Sequence, residues 1–395
     1  MTKEKISVHH ELENKLYKIR EHLHRHPELS FQEFETFKYI ASCLNEWGIP
    51  FWKIGDTGIV VDIVGGRGEG THIGIRADID ALPIHEQTGL PFTSENPGIM
   101  HACGHDGHTT ILLGTVYQLY RLREYFAGRV RCIFQPGEEA DGAAKQLIQL
   151  GVLENPAVDE MFALHLWPHL PLGTVGVKYE AITASCDDFI IEVEGKGGHS
   201  ARPHQAVDAI AISAQIIQAL QTLVTKTTNP VEPVVVHVGK INGGSASSVV
   251  ADRVVIEGTT RAVTKENRNR LSKEVTEISK NIAKTFGGNA KVEYIESHPP
   301  VINSKDVTES LELFATELFG PSRVVQLKEP SMGADDFGSF AEIVPSTYFR
   351  LGIVEEGKPV YDLHHPKFEF HDSIIKEGVE LFTYVVMRKL QKESN

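Results

Sequence analysis

From residue 58 onward, short β-rich runs alternate with helical periodicities, and this alternation constrains the fold more than any other feature. The runs are "GIVVDIV" (58–64), "HIGIRADI" (72–79), "RVRCIFQ" (129–135) and "EMFALHLW" (160–167). Helical spacing is plain at 11–24 and 33–47, with a break at His26-Pro27, and recurs over roughly 108–125 and 143–150. Strands alternating with helices predict an α/β layer: a mixed, largely parallel sheet flanked by helices.

The character changes at Asp187. "DDFIIEVEGK" reads as a strand and 208–225 as a helix with Ile212, Ile216, Leu220 and Leu223 on one face. Strands follow at 232–241 and 249–262. A second helix carries Leu271, Val275, Ile278, Ile282 and Phe286 at helical spacing, and "AKVEYIES" (290–297) closes the unit. This β-α-β-β-α-β order predicts a ferredoxin-like α+β domain inserted into the first. The expected division is 1–186 and 299–395 for the α/β domain and 187–298 for the insert.

With 395 residues the chain is long for one core and comfortable for two domains. A formal net charge of −14 argues against nucleic acid or an anionic membrane as main partner, though a small anionic substrate remains compatible. The N-terminus, "MTKEKISVHHELENKL", has no apolar core of the kind a secretory signal carries, and no run is long enough for a membrane span. The four cysteines, Cys43, Cys103, Cys132 and Cys186, are scattered without a C-x-x-C pair, which fits reduced thiols in a cytoplasm.

Glycine clusters give little. "GGRGEG" (65–70) lies between two strands and reads as a hairpin turn rather than a dinucleotide loop. "GKGGHS" (195–200) lacks phosphate-loop spacing, and no G-x-S-x-G elbow offers a serine nucleophile.

"HACGHDGH" (101–108) is different. Taken singly, each histidine is more simply a solvated group near the start of a helix beginning at about Thr109. Other ligand-capable groups stand at matching places, however: Glu138 and Glu139 in "QPGEEADG", His165 in "ALHLWP", and His364 and His365 in "DLHHPKFEF". Glu138, Glu139 and His165 follow predicted strand ends, as do Asp78 and Asp80 in "RADID", and open α/β sheets gather their sites there. Cysteine, histidine and glutamate together suit one or two divalent ions. The adjacent glutamates allow one carboxylate to hold metal while the other takes a proton from water. A charged loop explains that pair equally well in isolation.

Taken together, "HRHPELSFQE" (24–33), "RADIDALP", "HACGHDGH", "QPGEE", "ALHLWP", "GKGGHSARPH", "GADDF" and "LHHP" span nearly the whole chain. The sequence resembles the aminoacylase and carboxypeptidase superfamily of dinuclear metallohydrolases. The nearest branch holds hippurate hydrolase, indole-acetyl-amino-acid hydrolases and N-acyl-amino-acid deacetylases such as those acting on N-acetyl-diaminopimelate. The resemblance implies two divalent ions per subunit, zinc or manganese, held by Cys103 as a bridging thiolate with His105, Glu139, His165 and His364. It implies Glu138 as general base and Asp78 as a residue orienting the ligands. The insert is similar to the family's lid and dimerisation domain, so a homodimer is expected. There His199 would reach the active site to stabilise the oxyanion, and Arg261 would hold a substrate carboxylate; a plain surface-strand arginine explains Arg261 about as well.

Two positions depart from the pattern. Arg76 stands where peptidase relatives have a ligand histidine, and Ser248 in "SSVVAD" stands where relatives often carry a lid asparagine. The expected function is hydrolysis of N-acyl-L-amino acids to a carboxylic acid and a free amino acid. Alternatives are a metallo-dipeptidase or carboxypeptidase, against which Arg76 and Cys103 count; a hydrolase using Cys103 as nucleophile with His101 or His105; and a binding protein without catalysis.

Overall fold

A computed structural model describes residues 3–140 and 142–391. It divides into two compact units: Met1–Glu180, Ile302–Glu329 and Asp336–Asn395 form one, and Ala181–Val301 with Pro330–Asp335 form the other.

The first unit is built on an eight-stranded sheet. Its centre is four parallel strands in the order Arg129–Gln135, His72–Asp78, Glu160–Pro171 and Ser346–Val354. These strands are buried along almost their whole length, which is why they read as near-continuous apolar runs rather than alternating ones. Gly58–Val64 pairs antiparallel with Arg129–Gln135, and Val175–Val177 antiparallel with Ser346–Val354. The sheet is therefore mixed but largely parallel, as expected.

The His105–Leu122 helix packs against the Ser373–Leu390 and His10–Arg25 helices. It starts at His105 rather than near Thr109, so the histidine-rich segment forms its first turn. Gly107 makes this packing possible: a Cβ there would stand 2.7 Å from the Phe370 ring and 2.8 Å from Leu166. Ile111, Leu112, Val116 and Leu119 then continue into the core beside Leu16, Ile19 and Leu23. Burying side chains of this size stabilises by roughly 1.5–3 kcal/mol each relative to exposure.

"GGRGEG" is not a hairpin. Gly58–Val64 and His72–Asp78 are separated in the sheet by Arg129–Gln135, which pairs with both. The glycine segment passes over the start of that middle strand, with Gly65 N–H donating to Gly128 O and Gly128 N–H to Gly68 O. Turn chemistry is local, whereas the intruding strand comes from far along the chain.

The second unit has a four-stranded antiparallel sheet in the order Val234–Gly243, Arg253–Ala262, Cys186–Glu194 and Asn289–His298. With the helices Ala209–Thr227 and Lys265–Thr285 this is the expected ferredoxin-like arrangement. Asp208 starts the first helix by accepting from Ile210 N and Ala211 N. Ile212, Ile216, Leu220 and Leu223 are buried against Phe189, Ile191 and Val193. Phe286, read as part of the second helix's apolar face, is instead 55% exposed, because that helix ends at Thr285 and turns the residue away. Among the described residues, no helix is long and apolar enough to cross a membrane.

Candidate metal centre

The carboxyl ends of the central strands converge on the first turn of the His105–Leu122 helix, all within the first unit. Cys103, His105 and His165 place ligand atoms within 4.8 Å of one another. So do Cys103, Glu139 and His364, and so do His105, Glu138 and Glu139. Cys103 thus stands in two donor groups at once, and its Sγ lies 3.3 Å from His165 Nε2.

His105 and His165 are each held through Nδ1, which turns Nε2 inward. His105 Nδ1 donates to the Asp80 backbone oxygen at 2.9 Å, with Asp80 Oδ1 at 3.2 Å. Its Nε2 points to the carboxylates, 3.9 Å from Glu138 Oε2 and 4.0 Å from Glu139 Oε1. His165 Nδ1 donates to Leu166 O at 2.7 Å, which leaves Nε2 for Cys103. Fixing one ring nitrogen in this way sets the tautomer that a ligand needs. His364 sits in the left-handed backbone region (φ 62°), its N–H on Ala102 O and its Nε2 3.2 Å from Glu139 Oε1.

Charge in this cluster calls for a cation. Burial opposes protonation of His105, yet Asp78, Asp80 and Glu139 outweigh it and push its pKa up to about 10. Burial, with Glu139 and Glu138 beside it, holds the Cys103 thiol well above its ordinary range. His165 is driven well below the ordinary histidine value by burial and by His108. His105 Nε2 and Glu139 Oε1 are buried without a hydrogen-bond partner among the described residues. Buried polar atoms need partners, and a divalent ion satisfies both while stabilising a thiolate. The donor set fits the group.

The same geometry removes the support for a cysteine nucleophile. A reactive thiol needs a lowered pKa, whereas Cys103 is raised. His105 Nδ1 is engaged by Asp80, and the ring nitrogen in hydrogen-bond contact with Sγ belongs to His165 rather than to His101 or His105.

Asp78 and Arg76 form the floor. Asp78 Oδ1 accepts from His108 Nδ1 at 2.7 Å and Oδ2 from Arg76 Nη1 at 2.7 Å; Oδ1 also lies 3.7 Å from His105 Nε2. Arg76 donates onward to Gln135 Oε1 and Asp336 Oδ1. It thereby ties two strands together. Asp336, from "GADDF", also accepts from Gln135 Nε2 and Ala144 N, a structural role that its motif alone does not announce. Asp80 is more than a strand-end acid. It holds Glu139 N at 2.9 Å as well as His105, and "RADID" was the available signal.

His199 and Arg261 lie in the second unit. His199 is exposed on the short strand Gly198–His199, with its Nδ1 accepting from Ala201 N. Arg261 Nη1 donates to Met332 O at 2.9 Å. Ser248 O accepts from Ser200 N in the same region.

Residues 74–388 match the model for peptidase family M20/M25/M40. The chain belongs to this family. It is 40% identical to the N-acetyl-L-cysteine deacetylase of Bacillus subtilis (strain 168) over 377 residues, covering 94% of this chain and 87% of that one. It is 35% identical to thermostable carboxypeptidase 1 of Saccharolobus solfataricus, covering 93% of each. Among solved structures, a Bacillus subtilis protein described as a dinuclear metal binding peptidase from the M20 family superposes with a TM-score of 0.84. Its identity is 35%, over 97% of this chain and 99% of the other. Membership in this family makes the chain a hydrolase acting on amide bonds.

Proposed function

We propose that this family member is a metal-dependent amidohydrolase that splits N-acyl-L-amino acids into a carboxylic acid and a free amino acid. The observation that carries the reading is Cys103 shared between two donor groups beside the Glu138-Glu139 pair. Two divalent ions would be held by Cys103, His105, Glu139, His165 and His364, Cys103 belonging to both donor groups. When bound, they supply Lewis acidity to the amide carbonyl. Zinc suits the thiolate and imidazole donors, and manganese is the alternative.

The chain's own groups do the rest. Glu138 takes a proton from water as the water oxygen attacks the carbonyl carbon. It returns that proton to the leaving nitrogen as the C–N bond breaks, so water is divided between the two products. Asp78 orients the ligand cluster from beneath, gripping His108 and standing 3.7 Å from His105 Nε2. His199 stabilises the oxyanion and Arg261 holds the substrate carboxylate. We place the catalytic function in 1–186 and 299–395 and assign 187–298 as lid and dimerisation domain of a homodimer. We propose a cytoplasmic setting from the four scattered cysteines, which offer no C-x-x-C pair.

The test is elemental analysis with a substrate panel of hippurate, N-acetyl amino acids, indole-acetyl amino acids and dipeptides. Chelator dialysis is expected to abolish turnover of the N-acyl substrates, and zinc or manganese to restore it. Dipeptides cleaved in preference would favour the peptidase reading, consistent with the name of the Saccharolobus relative. Full activity in metal-free protein would overturn both.

A further inference from the structure

Glu33 is completely buried, yet it is not among the donors assembled at the centre. It stands at the start of the Phe34–Glu46 helix, where a side chain ordinarily turns back to satisfy the first free backbone N–H groups. The Glu33 carboxylate does not cap its own helix. Glu28 does so instead, accepting from Glu35 N at 3.2 Å and Thr36 N at 2.8 Å. Glu33 is thereby released for another task. Its Oε1 accepts from Gly137 N and from Phe31 N, each at 2.8 Å, and its Oε2 accepts from Thr57 Oγ1 at 2.8 Å.

Gly137 immediately precedes Glu138. Its φ is +66°, and a Cβ there would lie 2.8–3.1 Å from three carbons of the Phe31 ring. No side chain fits at this position, so the backbone N–H is the means by which the surrounding protein grips it. On the other side, Glu139 N–H is held by Asp80 Oδ2 at 2.9 Å. The residue between them is thus bracketed by two buried carboxylates, Glu33 ahead and Asp80 behind. Asp80 also binds His105, so its work is divided between the loop and a donor. The hydrogen bonds of Glu33 run to Thr57 and to the Phe31 and Gly137 backbone. A carboxylate in so dry a place is costly to keep, and burial pushes its pKa up to about 7 despite the hydrogen bonds it accepts.

We infer that Glu33 is a positioning residue for Glu138, acting through the Gly137 peptide to set where the Glu138 carboxylate stands. The inference rests on the assignment of Glu138 as base made above. Misplacement of a reacting group by about 1 Å costs on the order of 100-fold in rate.

The experiment uses the metal-loaded protein and four variants: Glu33→Ala, Glu33→Gln, Glu138→Gln, and Glu33→Ala combined with Glu138→Gln. Glu33→Ala is expected to lower kcat roughly 10- to 100-fold with KM and bound-ion content unchanged. Glu33→Gln, whose amide oxygen still accepts from Gly137 N–H, is expected to restore most of that kcat. In the Glu138→Gln background, Glu33→Ala should cause no further loss, because its route of action is already gone. Losses that multiply, wild-type kcat in Glu33→Ala, or a loss that follows ion content would each overturn the inference. If Glu33→Ala does not fold, Glu33→Asp carries the test. It keeps the charge but withdraws the oxygens by one methylene, so a lowered kcat supports the inference and a wild-type kcat overturns it. An inactive Glu138→Gln beside an unaffected Glu33→Ala rejects this inference alone. A fully active Glu138→Gln rejects the base assignment and the inference together.

Discussion

His108 Nδ1 donates to Asp78 Oδ1 at 2.7 Å, and the opposite ring nitrogen accepts the backbone N–H of Leu166 at 2.9 Å. Because a backbone N–H only donates, Nε2 carries the lone pair and Nδ1 the proton. Both nitrogens are therefore occupied. Although His108 groups with Asp78 and His105 by distance, it is a tie between neighbouring strands rather than a metal donor. His108→Leu should destabilise the protein by about 1–3 kcal/mol, the cost of leaving the buried Leu166 N–H unsatisfied. Chemical denaturation measures this, while elemental analysis at saturating metal should give the wild-type ion content. One ion lost per chain with an unchanged denaturation midpoint would make His108 a ligand instead.

The proposed role of His199 separates from a local one in mixtures. His199→Ala and Glu138→Gln proteins should each be nearly inactive, the second by about 100- to 10,000-fold as expected for loss of an acid–base group. Co-refolded together, they should regain part of the activity if His199 serves the partner subunit's site, since a mixed dimer then holds one complete site. Subunit exchange without recovery would assign His199 to its own chain's site. Near-normal turnover by His199→Ala alone would remove it from the reaction.

His24 supplies a pH-dependent contribution to stability. Burial disfavours its charged form, but hydrogen bonds to Asp106 at 2.8 Å and Glu86 at 3.1 Å prevail, and its pKa is raised above the ordinary 6.5. A histidine raised on folding contributes fully below its unfolded value and loses that contribution as pH rises through its native value. Urea midpoints should therefore fall as pH rises above the ordinary histidine value of 6.5, and fall less steeply in Glu86→Gln. Other groups titrating in this window largely cancel in the difference between the two proteins. Equal slopes would show that Glu86 does not support the charge.

Much of this organisation was legible in the sequence, because it rests on local pattern. The apolar face Ile212, Ile216, Leu220 and Leu223 is buried as its spacing predicts, and the strand-end acids and histidines do meet at one edge. What escaped depends on partners far along the chain. The "GGRGEG" segment misled because the strand between its neighbours begins at Arg129. Arg76 gave no sign that it braces Gln135 and Asp336. Glu33 and Asp80 act on backbone N–H groups, which every residue but proline presents, so no residue type in the "QPGEE" loop advertises them.

The strand Ser346–Val354 lies between Glu160–Pro171 and Val175–Val177, in the interior of the first sheet although it is among the last elements of the chain. During synthesis, the strand that carries His165 waits for its parallel neighbour until residues 346–354 have emerged. The core of the second unit, by contrast, draws on residues 189–290, which are made earlier. Long-range pairing of this kind is slow to form, and it leaves a strand edge exposed in the interim. A chain terminated ahead of Ser346 would retain Cys103, His105, Glu138, Glu139 and His165 yet lack the strand against which their sheet closes.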